Sequence, residues 1–171
     1  MPEHEIPDAA PGAASTQAQI ISLPDEMATA AFGAKLAHLI RRGDFIALWG
    51  DLGAGKTTLA RALIEARLAA HGLTEEVPSP TFTLVQTYDM PGLTIAHVDL
   101  YRIGSVGELT ELGLDEARDT GAVLLEWPDR MGSDLPADRL DIYLAPAPDD
   151  GRQMRLVAQG AWRARLEGFH P

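Results

Sequence analysis

The chain has no cysteine, no asparagine and only two lysines, Lys35 and Lys56. Each shortage excludes something. Without cysteine there are no disulfides and no thiolate metal sites, and a reducing compartment is compatible. Without asparagine, the Asn-Lys-x-Asp segment by which switch GTPases read guanine is missing. With so few lysines and a net charge of −11, the basic patch of a protein that grips nucleic acid unaided is not expected. Any nucleic acid this chain serves is expected to be held by a partner. No run approaches the roughly 20 apolar residues of a membrane span, so no membrane partner is expected.

The composition that remains suits one globular domain. Its 171 residues lie within the usual range for a single domain, and 46% are hydrophobic, enough for a core. Residues 1–19, MPEHEIPDAAPGAASTQAQ, carry early acids and no apolar stretch of the secretory kind. Their richness in Ala, Pro, Ser and Gln predicts a disordered leader, with residues 20–171 forming the domain.

ISL at 21–23 reads as a first strand and the following segment to Gly43 as a helix. Pro24, Asp25 and Glu26 suit its first turn, Arg41 and Arg42 its last, and Gly43 its terminator. DFIALWG is near-continuously apolar, as a strand buried on both faces is. A second helix runs from Lys56 to Gly72. TLVQTYD, LTIAHVD and AVLLE read as strands. SVGELTELGLDEARD reads as one helix, with a capping box at Ser105 and Glu108. DRLDIYLAP and RQMRLVAQG close the set, followed by a short terminal helix over AWRARLEGF. The order predicts an α/β fold of the P-loop NTPase kind. It has a mainly parallel central sheet, helices on both faces and antiparallel edge strands near the C-terminus.

GDLGAGKT at 50–57 completes the pattern G-x-x-x-x-G-K-[ST] with Gly50, Gly55, Lys56 and Thr57. The glycines let the loop fold tightly with its amides inward, so Leu52, Gly53, Ala54 and Gly55 line an anion cradle. The helix that follows adds its positive end. Lys56 would reach the β- and γ-phosphates and the Thr57 hydroxyl would ligate Mg²⁺. Thr58 either contacts the α-phosphate or is an ordinary first-turn residue. With guanine readout missing, ATP is the expected nucleotide.

Such a loop needs a carboxylate at the end of a neighbouring strand. Asp99 ends TIAHVD and Glu126 ends AVLLE, both at the carboxyl edge of the expected sheet. The sequence leaves open which of them meets the metal and which orders water. Ser79 and Thr81 in PSPTF carry hydroxyls at the place where switch-type NTPases sense the γ-phosphate. Trp127 and His97 read as core residues on general grounds. Arg102 and Arg130 are weaker candidates for charge stabilisation, and no dedicated arginine finger is evident. A small-molecule kinase and a non-catalytic nucleotide-gated module are the rival readings. The lack of a carboxylate in PSPTF and of an Arg-rich lid counts against the kinase.

Several segments in one order, GDLGAGKTTLARAL, SPTFTLVQTYD, HVDLYRI, ELGLDE and LLEWPDR, resemble the TsaE (YjeE) family over roughly residues 20–157. This family supplies the ATPase of tRNA threonylcarbamoyladenosine biosynthesis. The resemblance implies ATP with Mg²⁺, and Thr57 and Glu126 as the metal positions. It implies Asp99 as the acid needed for hydrolysis, Ser79-Pro80-Thr81 as a switch-like loop and Trp127 beside the nucleotide. Glu26, Gly151 and Arg152 fall where the family lines the adenine side. It also implies a cytoplasmic protein that works with TsaB and TsaD and meets tRNA only through that complex.

Overall fold

The computed structural model describes residues 19–171. Up to residue 18 the expected leader lies outside the described residues, and Gln19 opens the first strand.

Seven strands form one sheet: β1 (Gln19–Leu23), β2 (Phe45–Trp49), β3 (Val85–Met90), β4 (Leu93–Asp99), β5 (Ala122–Glu126), β6 (Leu140–Pro146) and β7 (Arg152–Ala158). Their order is β1-β7-β6-β2-β5-β4-β3. The centre, β6-β2-β5-β4, is parallel. β7 runs antiparallel to both β6 and β1, as expected for the C-terminal strands. The other edge is antiparallel too, through β3 on β4, which the sequence reading did not include. Its cause is local. Only Pro91 and Gly92 separate β3 from β4, and a two-residue link returns a strand antiparallel.

Alternation along the central strands builds two cores. Ile46, Leu48 and Leu124 face one side, where they meet α1 (Glu26–Ala37), α2 (Lys56–Ala69) and α5 (Ala161–Leu166) through Phe32, Leu36, Leu59, Leu63 and Trp162. Phe45, Ala47, Val123 and Leu125 face the other, beneath Leu109 of α3 (Val106–Glu111) and Leu114 of α4 (Leu114–Thr120). α1 and α2 touch at Gly33, where a Cβ would lie 2.7 Å from the Ala62 Cβ.

Helix ends depart from the sequence reading in three places. α1 closes at Ala37, so Arg41 and Arg42 lie beyond it. The amides of Leu39 and Ile40 turn back to Leu36 and Ala37, and the Asp44 carboxylate accepts the Arg41 amide at 2.7 Å. Asp25 is the cap itself, accepting the Ala28 amide at 2.7 Å, and Pro24 precedes it. The expected single helix over 105–119 is two, broken at Gly113 with φ 64°. The break lets Leu109 and Leu114 both reach the second core. Ser105 caps α3 as expected and also donates to the Glu108 carboxylate at 2.8 Å. No helix among the described residues is long and apolar enough to cross a membrane.

Candidate active site

The site forms where β2, β5 and β4 end side by side. The loop from Gly50 to Gly55 leaves β2 and delivers Lys56 and Thr57 to the first turn of α2. Gly50 has φ 142°, and a Cβ there would lie 2.5 Å from the Leu144 carbonyl oxygen, so the loop starts hard against β6. Only glycine permits both the angle and the contact. Gly55, at φ 102°, lets the chain swing from the loop into the helix.

Lys56 is buried against the loop it ends. Its Nζ donates to the Gly50 and Asp51 carbonyls at 2.7 and 2.9 Å and sits 4.0 Å above the centre of the Trp127 ring. Burial pushes the ammonium below its ordinary 10.5, while Glu126, Asp99, Asp51 and Asp129 act in the opposite direction. Trp127 is aimed there by a left-handed backbone, φ 61°, which ends β5 before Pro128 begins a 3₁₀ segment. Tyr101 packs against the same indole at 5.0 Å.

The two acids are cross-strand neighbours, Asp99 on β4 opposite Glu126 on β5. Both are almost fully buried. The Thr57 hydroxyl donates to Glu126, 2.8 Å from Oε2 and 3.0 Å from Oε1. His97 Nε2 lies 2.8 Å from Glu126 Oε1. Asp99 accepts the Tyr101 amide at 2.8 Å and the Thr81 hydroxyl at 3.1 Å. Thr81 is in turn 2.7 Å from the Ser79 hydroxyl. Leu84, at φ 65°, holds this loop down, with its amide on the Pro80 carbonyl and its carbonyl on the Asp99 amide.

Above these groups lie two adjoining hollows. One, about 270 Å³, spans the glycine loop, both acids, Thr81, Tyr101 and Trp127. The other, about 340 Å³, lies between the start of α1 and the β6–β7 hairpin. Gly55, Thr58 and Arg152 border both. The arrangement is that of an anion cradle beside hard-oxygen donors. Among the described residues no three His, Asp or Glu side chains gather as a metal cluster. A cation here would therefore draw on the Thr57 and Glu126 oxygens and fill its remaining positions with water or a bound anion.

A family profile described as "Threonylcarbamoyl adenosine biosynthesis protein TsaE" matches residues 23–154. The chain belongs to the TsaE family. A "tRNA threonylcarbamoyladenosine biosynthesis protein TsaE" of Bacillus subtilis is 38% identical over 138 residues, covering 80% of this chain and 82% of its own. One from Rickettsia bellii is 38% identical over 135 residues, covering 79% and 92%. One from Haemophilus influenzae is 37% identical over 147 residues, covering 80% and 87%. The crystal structure of Bacillus subtilis YdiB superposes with a TM-score of 0.74 at 30% identity, over 91% of this chain and 95% of that one.

Of the residues singled out from the sequence, Leu52, Gly53, Gly55, Lys56, Thr57, Thr58, Thr81, Asp99, Glu126, Trp127 and Arg152 border the first hollow. Glu26 borders the second. Ala54 is buried under the loop, Ser79 stands behind Thr81, and Gly151 is buried in the hairpin turn, 3.1 Å from the Leu23 carbonyl measured to a Cβ built on it. None of these three borders either hollow. Arg152 instead donates to the Asp150 and Gly151 carbonyls at 2.9 and 2.8 Å. Arg102 stacks on Phe82 and Arg130 pairs loosely with Asp129, so neither reaches the acids. Tyr101 escaped the sequence reading, as did Asp149 and Asp150. Tyr101 follows Asp99 by two residues, a signal that was available; the hairpin acids had none.

Proposed function

We propose that this chain is a Mg²⁺-dependent P-loop ATPase that acts with TsaB and TsaD in forming N6-threonylcarbamoyladenosine beside the tRNA anticodon, in the cytoplasm. The observation that carries the reading is the Thr57 hydroxyl on the Glu126 carboxylate, next to Lys56, at the carboxyl end of parallel strands. A first-turn hydroxyl, a strand-end acid and a cradle lysine are the parts that phosphoryl transfer to water requires.

ATP is the substrate. The loop amides and Lys56 bind its β- and γ-phosphates, and the ammonium exchanges the Gly50 and Asp51 carbonyls for phosphate oxygens. Trp127, stacked on Lys56, keeps the ammonium in the cradle. Thr57 and Glu126 hold Mg²⁺, a fit supported by their hard-oxygen chemistry. When bound, the ion neutralises charge that builds on the phosphate oxygens. Asp99, fixed by Thr81 and the Tyr101 amide, orients the attacking water. The water oxygen bonds to the γ-phosphorus, the bond to the bridging oxygen breaks, and ADP, phosphate and a proton leave. Glu26 and Arg152 line the adenosine side. No arginine from the described residues reaches the acids, so the isolated protein turns over slowly and its partners raise the rate. The scarcity of lysine agrees with tRNA being held by those partners.

The test is multiple-turnover tRNA modification by TsaB and TsaD, without this protein, with it, and with Lys56→Ala. Modification is expected only with the wild type. Equal modification in all three reactions overturns the proposal. Radiolabel from γ-phosphate recovered on a metabolite instead of as free phosphate identifies a kinase.

A further inference from the structure

Glu126 is held from two sides. Thr57 reaches it from the cleft, and His97 reaches it from below. His97 is fully buried and borders neither hollow. It lies two residues before Asp99 on β4, so both side chains leave the same face. Strand pairing sets it opposite Leu124, two residues before Glu126. The imidazole therefore sits under the carboxylate and away from the space a substrate would fill.

An ionised carboxylate only accepts hydrogen bonds. At 2.8 Å, a bare ring nitrogen facing Oε1 would set lone pair against lone pair, so Nε2 carries the hydrogen. Nδ1 is buried and has no hydrogen-bond partner among the described residues. Nothing else therefore dictates the tautomer, and the ring's only polar tie is to Glu126. The terminal torsion of a glutamate is broad, so two ties are needed to fix it. One of them, the Thr57 hydroxyl, would share its oxygen between Glu126 and a cation at this site, donating its hydrogen to the one and a lone pair to the other. The His97 N–H would serve Glu126 alone.

We propose that His97 is a positioning residue whose Nε2–H sets the Glu126 carboxylate to receive a divalent cation. This rests on the reading of Thr57 and Glu126 as the cation site. Partners of this kind typically change metal affinity by about 10–100-fold when removed.

The experiment measures binding of a non-hydrolysable ATP analogue across a Mg²⁺ series and in EDTA, for wild type, His97→Leu and His97→Gln. His97→Leu is expected to raise the Mg²⁺ concentration for half-effect by about 10–100-fold, with analogue binding in EDTA unchanged. His97→Gln, which returns an N–H donor at similar reach, is expected to recover most of that loss. Alongside it, ¹⁵N spectra of the wild-type His97 ring should show a protonated Nε2 and a bare Nδ1. An unchanged Mg²⁺ requirement in His97→Leu overturns the proposal. So does a glutamine no better than leucine, which would make the role one of packing, and so does a ring protonated on Nδ1 alone. If His97→Leu does not fold, the glutamine variant and the ring spectrum still decide. A wild type with no Mg²⁺ dependence instead overturns the cation-site reading itself, which is a different result.

Discussion

Lys56 is one of two lysines in the chain and the only one in the cleft. Its folded pKa is lowered by burial, whereas the unfolded value stays near 10.5. Between the two, the unfolded chain holds a proton that the folded chain has lost, so wild-type stability rises with pH through the window below 10.5. Urea denaturation of wild type and Lys56→Met from pH 7 to pH 10 checks this. The wild type should gain on the variant as pH rises, and a parallel pair of curves refutes it. Asp99 allows a second prediction. Asp99→Asn keeps the shape that meets Thr81 and the Tyr101 amide but loses the charge. Nucleotide affinity should stay within a few-fold while turnover falls by about 10²–10⁴, the usual contribution of general acid–base groups. Single-turnover hydrolysis beside equilibrium binding separates the two. At this scale the sequence was legible wherever chemistry and local spacing coincide, as in GDLGAGKT. His97 was readable only as a core residue, because its partner Glu126 lies 29 positions away and meets it through strand register.

Among the helices, α1 packs close on α2 at Gly33. A Cβ there would press the Ala62 Cβ at 2.7 Å and the backbone of α2 at 3.3 Å. Neither helix can yield without disturbing its own packing against the sheet. Gly33→Val should cost about 1–3 kcal/mol, the usual range for overpacking a core, measured as a lower urea midpoint with an unchanged slope. A change below about 0.5 kcal/mol, typical of a surface substitution, would refute the close packing. Strands were easier to read than helix ends. FIALW, TIAHVD and AVLLE announce burial on both faces. The end of α1 was misplaced because Arg41, Arg42 and Gly43 look like a terminator, yet Gly43 gives its amide to Gly121 at 2.7 Å across the fold. The Gly113 break was missed because a glycine flanked by good helix formers reads as a tolerated defect. The two leucines on either side, each seeking the same core, supply the reason for the break.

At the level of the whole molecule, a net charge of −11 bears on what the protein can hold alone. Affinity for tRNA rests mainly on neutralised phosphates. The isolated chain should give no saturable tRNA binding by anisotropy at physiological salt, and binding should appear when TsaB and TsaD are added. Tight, salt-sensitive binding by the chain alone would refute this. The core is extended by α5, whose Trp162 is buried with α1 and α2 while Arg165 clamps the Asp44 carboxylate at 2.6 Å. That pair joins positions 121 apart, and nothing in local sequence announces it.

The two hollows share Gly55, Thr58 and Arg152 as borders, and their remaining walls come from separate stretches of chain. One is carved by the glycine loop and the parallel strand ends, the other by the start of α1 and the turn between β6 and β7. The cleft is therefore divisible. A grafted hairpin turn would reshape one end while leaving the acids, the lysine and their registration untouched at the other.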